Sequence, residues 1–170
     1  MYKKLFYTFL VLTLSIFTAC SSSEHRLVDK TIDIKSAEWA RDSVKVIEFE
    51  IVDTSATYNL FYNVRNTIDY PYYNLYLNYK LIASNGDTLH TKTQQMDLFN
   101  DKTGEPYGNQ GFFSGGSLGD VFDHIILAEQ NISFKEAGTY QYALTHYMRT
   151  EESLEGLFSI GIKVTKNTTQ

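Results

Sequence analysis

Hydrophobic and polar residues alternate with a period of two along most of this chain, which is typical of strands with one buried and one exposed face. The pattern is clearest at residues 47–51, 60–65 and 75–82. Asn85-Gly86-Asp87 follows the third stretch and predicts a hairpin with a type I′ turn, leading into a polar edge strand at residues 88–98. Further strands are predicted near residues 122–127, 138–148 and 158–164.

These seven to eight strands, with no convincing long helix, predict an all-β fold: a single antiparallel β-sandwich, immunoglobulin-like or jelly-roll-like, over residues 31–165. Residues 100–120 contain six glycines and predict a long loop, called here the glycine loop. Residues 150–156 predict a helical turn, and residues 166–170 predict a disordered tail. The core-facing positions predicted by the alternation are Ile47, Phe49, Ile51, Leu60, Tyr62, Val64, Leu75, Leu77, Tyr79 and Leu81.

The first nineteen residues have the layout of a secretory signal peptide. Lys3 and Lys4 precede an apolar run at residues 5–17, which is too short to span a bilayer. The segment Phe-Thr-Ala-Cys that ends at Cys20 resembles a bacterial lipobox, in which the cysteine is lipidated and becomes the first residue. We therefore expect a covalent lipid on Cys20 as membrane anchor, followed by a flexible tether over residues 20–30. Cys20 is the only cysteine, so no intramolecular disulfide is expected.

Charge argues against several partners. Loss of Lys3 and Lys4 with the signal peptide takes the formal net charge from −5 to −7, which disfavours nucleic acid and anionic lipid surfaces. The glycine loop lacks the strand-and-helix context of a nucleotide fingerprint, so no nucleotide is expected. The four histidines have no metal-ligand spacing, so no metal and no cofactor besides the lipid are expected.

No sequence motif specifies a reaction, and the chain is predicted not to be an enzyme. Asp120 and Asp123 could form a glycosidase pair only if their carboxyl groups faced each other across a cleft. The favoured interpretation is that these aspartates cap the loop by accepting hydrogen bonds from nearby backbone N–H groups.

One surface combines amides and aromatic rings in a way that suits protein or sugar recognition. The residues on one face of the strand at 59–65 are Asn59, Phe61, Asn63 and Arg65. Those on one face of the following strand are Tyr72, Asn74, Tyr76 and Asn78. If the two strands pair, both faces form a single exposed partner-binding surface, with Phe112 and Phe113 of the glycine loop beside it. The alternative is ordinary strand composition with cross-strand pairs.

Several segments together resemble the gliding motility lipoprotein family GldH of Bacteroidota. They are the lipobox and the segments at residues 58–77, 111–120, 137–149 and 154–164. The resemblance implies an outer-membrane lipoprotein of the gliding machinery, coupled to type IX secretion, that contacts other envelope proteins and has no known catalytic residues. Glu24 is the only acidic residue near the anchor, so we expect the periplasmic face, with the cell surface as the alternative. The alternative function is a glycan-binding or glycan-processing surface lipoprotein.

Overall fold

The structure is a computed structural model that describes residues 26–111 and 120–167. Cys20, Phe112 and Phe113 lie outside these ranges, so their predicted roles are not addressed by it. The described residues form eleven strands and a 3₁₀ turn at Lys35–Ala37. The strands are β1 (Arg26–Asp33), β2 (Glu38–Ala40), β3 (Lys45–Ile51), β4 (Thr57–Thr67), β5 (Asn74–Ile82), β6 (Thr88–Asp97), β7 (Asn109–Gln110), β8 (Val121–Ser133), β9 (Gly138–His146), β10 (Ser153–Glu155) and β11 (Leu157–Lys166).

Two antiparallel sheets account for most of the strands. The first sheet has five strands in the order β1-β11-β4-β8-β7, and the second has four in the order β3-β9-β5-β6. β2 and β10 form a separate pair. The inward-facing side chains of both sheets make one hydrophobic cluster, and the predicted all-β sandwich is confirmed.

The predicted alternation is confirmed at the strands on which it was clearest. Ile47, Phe49 and Ile51 of β3 are at most 3% exposed, and the residues between them face solvent. All of the other predicted core positions on β4 and β5 are buried as well. The period of two therefore identified the inward faces of β3, β4 and β5 correctly.

The predicted hairpin between β5 and β6 forms, but its turn type is different. Gly86 has a φ of 88°, whereas Asn85 is not among the residues with positive φ, so a type I′ turn is wrong. The Gly86 N–H donates to the Ala83 oxygen, and the Ala83 N–H donates to the Asp87 oxygen, which gives a three-residue loop with glycine at its left-handed position. β6 lies at the edge of its sheet, as its polar composition predicted.

The helical turn predicted at residues 150–156 is wrong. Ser153–Glu155 form β10, which pairs with β2 so that Leu154 lies opposite Trp39. Both of these side chains are fully buried. The pairing partner lies more than a hundred residues earlier in the chain, and three residues are too few for a periodic pattern to show.

Three predicted boundaries also need correction. The predicted tether at residues 20–30 overlaps β1, which begins at Arg26. The predicted tail at residues 166–170 begins too early, since Lys166 ends β11 and the Asn167 N–H donates to the Thr57 oxygen. Within the predicted glycine loop, the described residues include the short strand β7, which pairs with the start of β8.

Gly161 of β11 lies very close to the backbone of β1. A Cβ atom at this position would lie 2.2 Å from the Lys30 backbone oxygen and 2.7 Å from Thr31 Cγ2. Both contacts are far shorter than any that carbon normally makes, so β1 can pair here only because residue 161 has no side chain.

We expect Gly161→Ala to push β1 away from β11 and to cost roughly 1–3 kcal/mol, the usual range for overpacking. Thermal denaturation and limited proteolysis of β1 measure the effect. Ser159→Ala is the matched control, because Ser159 lies on the same face of β11, is 2% exposed, and the change adds no atom. Equal midpoints for the two variants would contradict the prediction.

Candidate functional site

The two predicted recognition faces lie on different sheets. β4 is flanked by β11 and β8, whereas β5 is flanked by β9 and β6. The two consecutive strands therefore do not pair with each other, which the predicted single surface required. The two faces cannot form one continuous surface. Each face must be considered separately as a candidate partner-binding site.

On the five-stranded sheet, the outward side chains of β4 are tied to their neighbours. Arg65 binds the Asp123 carboxylate through two nitrogens, with Nε 2.5 Å from Oδ1 and Nη2 3.2 Å from Oδ2. Asn63 Nδ2 donates to Asp29 Oδ1 at 2.7 Å. The Lys163 ammonium lies 5.8 Å from the centre of the Phe61 ring. These contacts hold the polar groups in fixed positions on a rigid sheet.

Asn59 is the last predicted residue of this face and lies at its far end. Its Oδ1 accepts hydrogen bonds from the Asn131 N–H at 3.0 Å and from Asn167 Nδ2 at 3.3 Å. Asn59 thus fastens the end of β11 and a bend in β8 to the start of β4. These hydrogen bonds give Asn59 a structural role.

The base of the glycine loop packs directly against Asp123, the partner of Arg65. A Cβ atom at Gly111 would lie 3.1 Å from Asp123 Oδ2, and one at Gly108 would lie 2.7 Å from the Asp123 backbone oxygen. A shallow concavity of about 330 Å³ opens here, and its lining includes Asn63, Arg65 and Asp123. The fold therefore places Arg65, through its partner Asp123, next to the described base of the glycine loop.

The Asp123 carboxylate has a side-chain partner from a distant part of the chain. Its carboxylate is engaged by Arg65, which lies 58 residues earlier in the chain. Asp120 Oδ1 instead accepts a hydrogen bond from Gln110 Nε2 at 3.3 Å. Among residues 26–111 and 120–167, no group of three or more metal-binding side chains comes together.

On the four-stranded sheet, the predicted residues are less uniform. Tyr76 donates through its hydroxyl to Gln95, and Asn78 Nδ2 donates to Thr93 Oγ1 at 2.9 Å. Tyr72 precedes β5 and donates through its hydroxyl to Glu151. Asn74 is only 8% exposed, so the exposure expected for it is wrong.

Sequence reasoning missed a second concavity beside Tyr76. It has a volume of about 440 Å³ and is lined by Tyr147, Met148 and Arg149, which directly follow β9. The Arg149 guanidinium lies 5.8 Å from the Tyr147 ring, and Tyr147 is 48% exposed. The signal available in the sequence was the order Tyr147-Met148-Arg149, in which an aromatic residue and a cation lie on either side of a buried methionine.

A buried polar pair lies beneath the base of the glycine loop. His124 Nε2 is 2.8 Å from Asn66 Oδ1, so this nitrogen carries the proton and donates, while Asn66 Nδ2 donates to the Thr67 oxygen. A Cβ atom at Gly108 would lie 2.7 Å from His124 Cε1, so the backbone of the loop covers the ring. Burial lowers the pKa of His124 to about 4 and keeps the imidazole neutral.

Comparison with known proteins gives a consistent family. The GldH lipoprotein family matches residues 26–164. The "Gliding motility lipoprotein GldH homolog" of Christiangramia forsetii is 28% identical over 163 residues, covering 92% of this chain and 93% of the relative. The "Gliding motility lipoprotein GldH" of Flavobacterium johnsoniae is 25% identical over 160 residues, covering 91% and 93%. No solved structure matches this chain.

Acid should destabilise this protein through His124. The unfolded state takes up a proton as the pH falls through about 6.5, whereas the folded state resists protonation until about pH 4. The stability that neutral His124 contributes is therefore present above pH 6.5 and declines by roughly 3 kcal/mol towards pH 4. Denaturant unfolding at pH 7 and pH 4.5 measures it.

The His124→Gln variant should lose less stability than the wild type between these two pH values, because glutamine does not titrate. His146→Gln is the control for a second buried histidine whose pKa is also lowered, chiefly by burial. If the wild type and His124→Gln lose the same free energy of unfolding, His124 does not carry this pH dependence.

Proposed function

This chain belongs to the GldH lipoprotein family, and we propose that it is a lipid-anchored, non-enzymatic docking component of the gliding motility machinery. In this role it holds other envelope proteins at the periplasmic face of the outer membrane, in a system coupled to type IX secretion. The main support is the extent of the family match, which runs from the start of β1 into the last strand and so includes the whole sandwich.

The fold separates the proposed anchor from the proposed docking surface. β1 starts at Arg26, opposite Thr165 of β11, and Thr165 lies opposite Asn59 near the start of β4. The glycine loop joins β8 opposite the other end of β4, where Val121 pairs with Thr67. A strand of eleven residues is about 35 Å long, so the two sites lie at opposite ends of the sandwich.

This separation is compatible with the proposed lipidation at Cys20. The chain between Cys20 and Arg26 can span at most about 20 Å, which keeps the start of β1 close to the membrane surface. The end that carries Arg65, Asp123 and the base of the glycine loop then points away from the lipid, where other envelope proteins can reach it. Phe112 and Phe113 belong to the same loop and complete the proposed docking surface.

A non-enzymatic role agrees with the way in which the titratable side chains at this face are paired or covered. Asp123 is neutralised by Arg65, and His124 is covered by the loop backbone and only 5% exposed. These contacts support binding through a rigid polar face. The described residues form no helix that is long and apolar enough to cross a membrane.

Cys20→Ser should abolish attachment to the outer membrane, because burial of the acyl chains supplies nearly all of the membrane affinity. Fractionation of cells that produce full-length wild type or variant measures this. We expect the variant in the soluble envelope fraction or as uncleaved precursor. A variant that is cleaved normally and still fractionates with the outer membrane would show that the anchor lies elsewhere.

Arg65→Ala should weaken recovery of envelope partners by roughly thirtyfold, the loss of about 2 kcal/mol that is typical of a central arginine at an interface. Co-purification from detergent-solubilised membranes, quantified by mass spectrometry, measures this, and the thermal midpoint should change little. Leu60→Ala on the same strand faces the core, is fully buried, and should instead cost roughly 2–5 kcal/mol of stability.

Two outcomes of that experiment would contradict the proposal. Equal recovery of envelope proteins with wild type and Arg65→Ala would remove this face from the site. Retention of polysaccharide but no protein by the wild type would refute the docking role and favour the glycan-binding alternative.

A further inference from the structure

The two long sides of the sandwich are closed to different degrees. On one side, β6 lies beside β8, where Lys92 Nζ donates to the Ala128 oxygen at 3.1 Å and Gln94 Nε2 donates to the Leu127 oxygen at 3.0 Å. Lys92 also forms an ion pair with Glu129 at 3.0 Å. Polar side chains from one sheet thus cap the edge of the other, which protects that edge from additional strands.

The opposite side, between β3 and β1, is more open. Among the described residues, one side-chain hydrogen bond crosses it, from Lys30 Nζ to the Glu48 backbone oxygen at 2.9 Å. A groove of about 510 Å³ lies between the two strands and is lined by Lys30–Ile32 and Val46–Glu48. β3 is therefore an edge strand with one weak cap.

The unused backbone groups of β3 can be assigned from its pairing. β3 pairs with β9 in an uninterrupted register from Lys45 to Ile51, and in an antiparallel pair only alternate residues direct N–H and C=O towards the partner. The Glu48 oxygen is bound by Lys30 on the opposite side, so Glu48 belongs to the outward set. Val46 and Glu50 belong to the same set and direct their backbone groups towards the groove.

The side chains along this edge are exposed and alternate regularly. They are Val44, Val46, Glu48, Glu50 and Val52, of which the three valines are 52%, 45% and 75% exposed. A regular, exposed edge strand with apolar residues is a template for another strand. Two copies of β3 are disfavoured as partners, because the antiparallel register centred on Glu48 places two Glu48 side chains opposite each other.

We propose that β3 is a strand-addition site that receives an extended segment of a partner envelope protein. The segment carries lysine or arginine opposite Glu48 and Glu50, and an apolar residue opposite Val46. Lys30 leaves the Glu48 oxygen when the segment pairs. The proposal rests on the docking function proposed above and names a second surface for it, on the other sheet from Arg65.

Photo-cross-linking in intact cells tests this proposal. p-Benzoylphenylalanine replaces Val44 in the full-length chain, next to the edge but outside β3, and mass spectrometry identifies the cross-linked segment. We expect a segment with basic residues at alternate positions. Cross-linked protein of any other kind, including a second copy of this chain, or no cross-link at all, overturns the proposal.

Three further substitutions distinguish strand addition from a contact through side chains alone. Val46→Pro removes one outward N–H while leaving the pairing with β9 intact, and should reduce cross-linking by about tenfold or more, as expected for a lost hydrogen bond with an unpaired acceptor. Glu48→Lys should have a similar effect through charge repulsion. Lys30→Ala should increase cross-linking, because it removes the competing donor.

Asp97→Lys is the matched control, since it makes the same charge change on β6, the opposite edge of the same sheet, and should leave cross-linking unchanged. Thermal midpoints verify that each variant is folded. Unchanged cross-linking in Val46→Pro and Glu48→Lys overturns strand addition. If that occurs while wild type still co-purifies envelope proteins in an Arg65-dependent manner, only this inference fails; if wild type recovers no envelope protein, the proposed function fails as well.

Discussion

Contact between the two sheets depends on three tyrosine rings. Tyr62 of β4 in the five-stranded sheet meets Tyr79 and Tyr142 of the four-stranded sheet, with ring centres 6.0 and 6.2 Å apart. Tyr79 and Tyr142 stack on each other at 4.6 Å. Such pairs add about 0.5–1.5 kcal/mol each beyond the burial of their surface. Burial also raises the pKa of all three phenols, so these hydroxyl groups stay uncharged even in mildly alkaline solution.

The orientation of the functional faces follows from this inward packing. Because Tyr62 points towards the other sheet, its neighbours Phe61 and Asn63 must point outwards. Arg65 then faces solvent and lies opposite Asp123 of β8. The glycines at the base of the loop let the backbone pass close to Asp123 and His124, where any side chain would collide. The proposed docking surface is thus positioned by the core beneath it.

Polar contacts fasten the opposite end of the sandwich, where β1 begins. Asp53 and Lys166 form an ion pair at 2.6 Å, which together with hydrogen bonds from Ser55 lowers the pKa of Asp53. Asn167 Nδ2 donates to Asn131 Oδ1 at 2.8 Å and fastens the end of β11. These contacts secure the region where β1 begins. In the proposed arrangement, this end lies next to the lipid and the proposed docking surface lies at the far end.

The sequence alone determined the fold class, the inward faces of β3, β4 and β5, the position of the β5–β6 hairpin and the family resemblance. Each of these depends on residues close together in the chain: alternation along one strand, a glycine at a turn, or a short ordered motif. Local patterns state which side of a strand is buried, because successive side chains point to opposite faces.

Only the tertiary structure decided which strands are neighbours. β4 and β5 follow one another in sequence, and their similar faces suggested a single surface, yet the chain crosses from one sheet to the other between them. The same limitation hid the pairing of β10 with β2, the contact of Arg65 with Asp123, and the open groove beside β3. Alternation carries no information about the partner of a strand, because pairing is a contact between distant segments whose backbone groups are chemically alike.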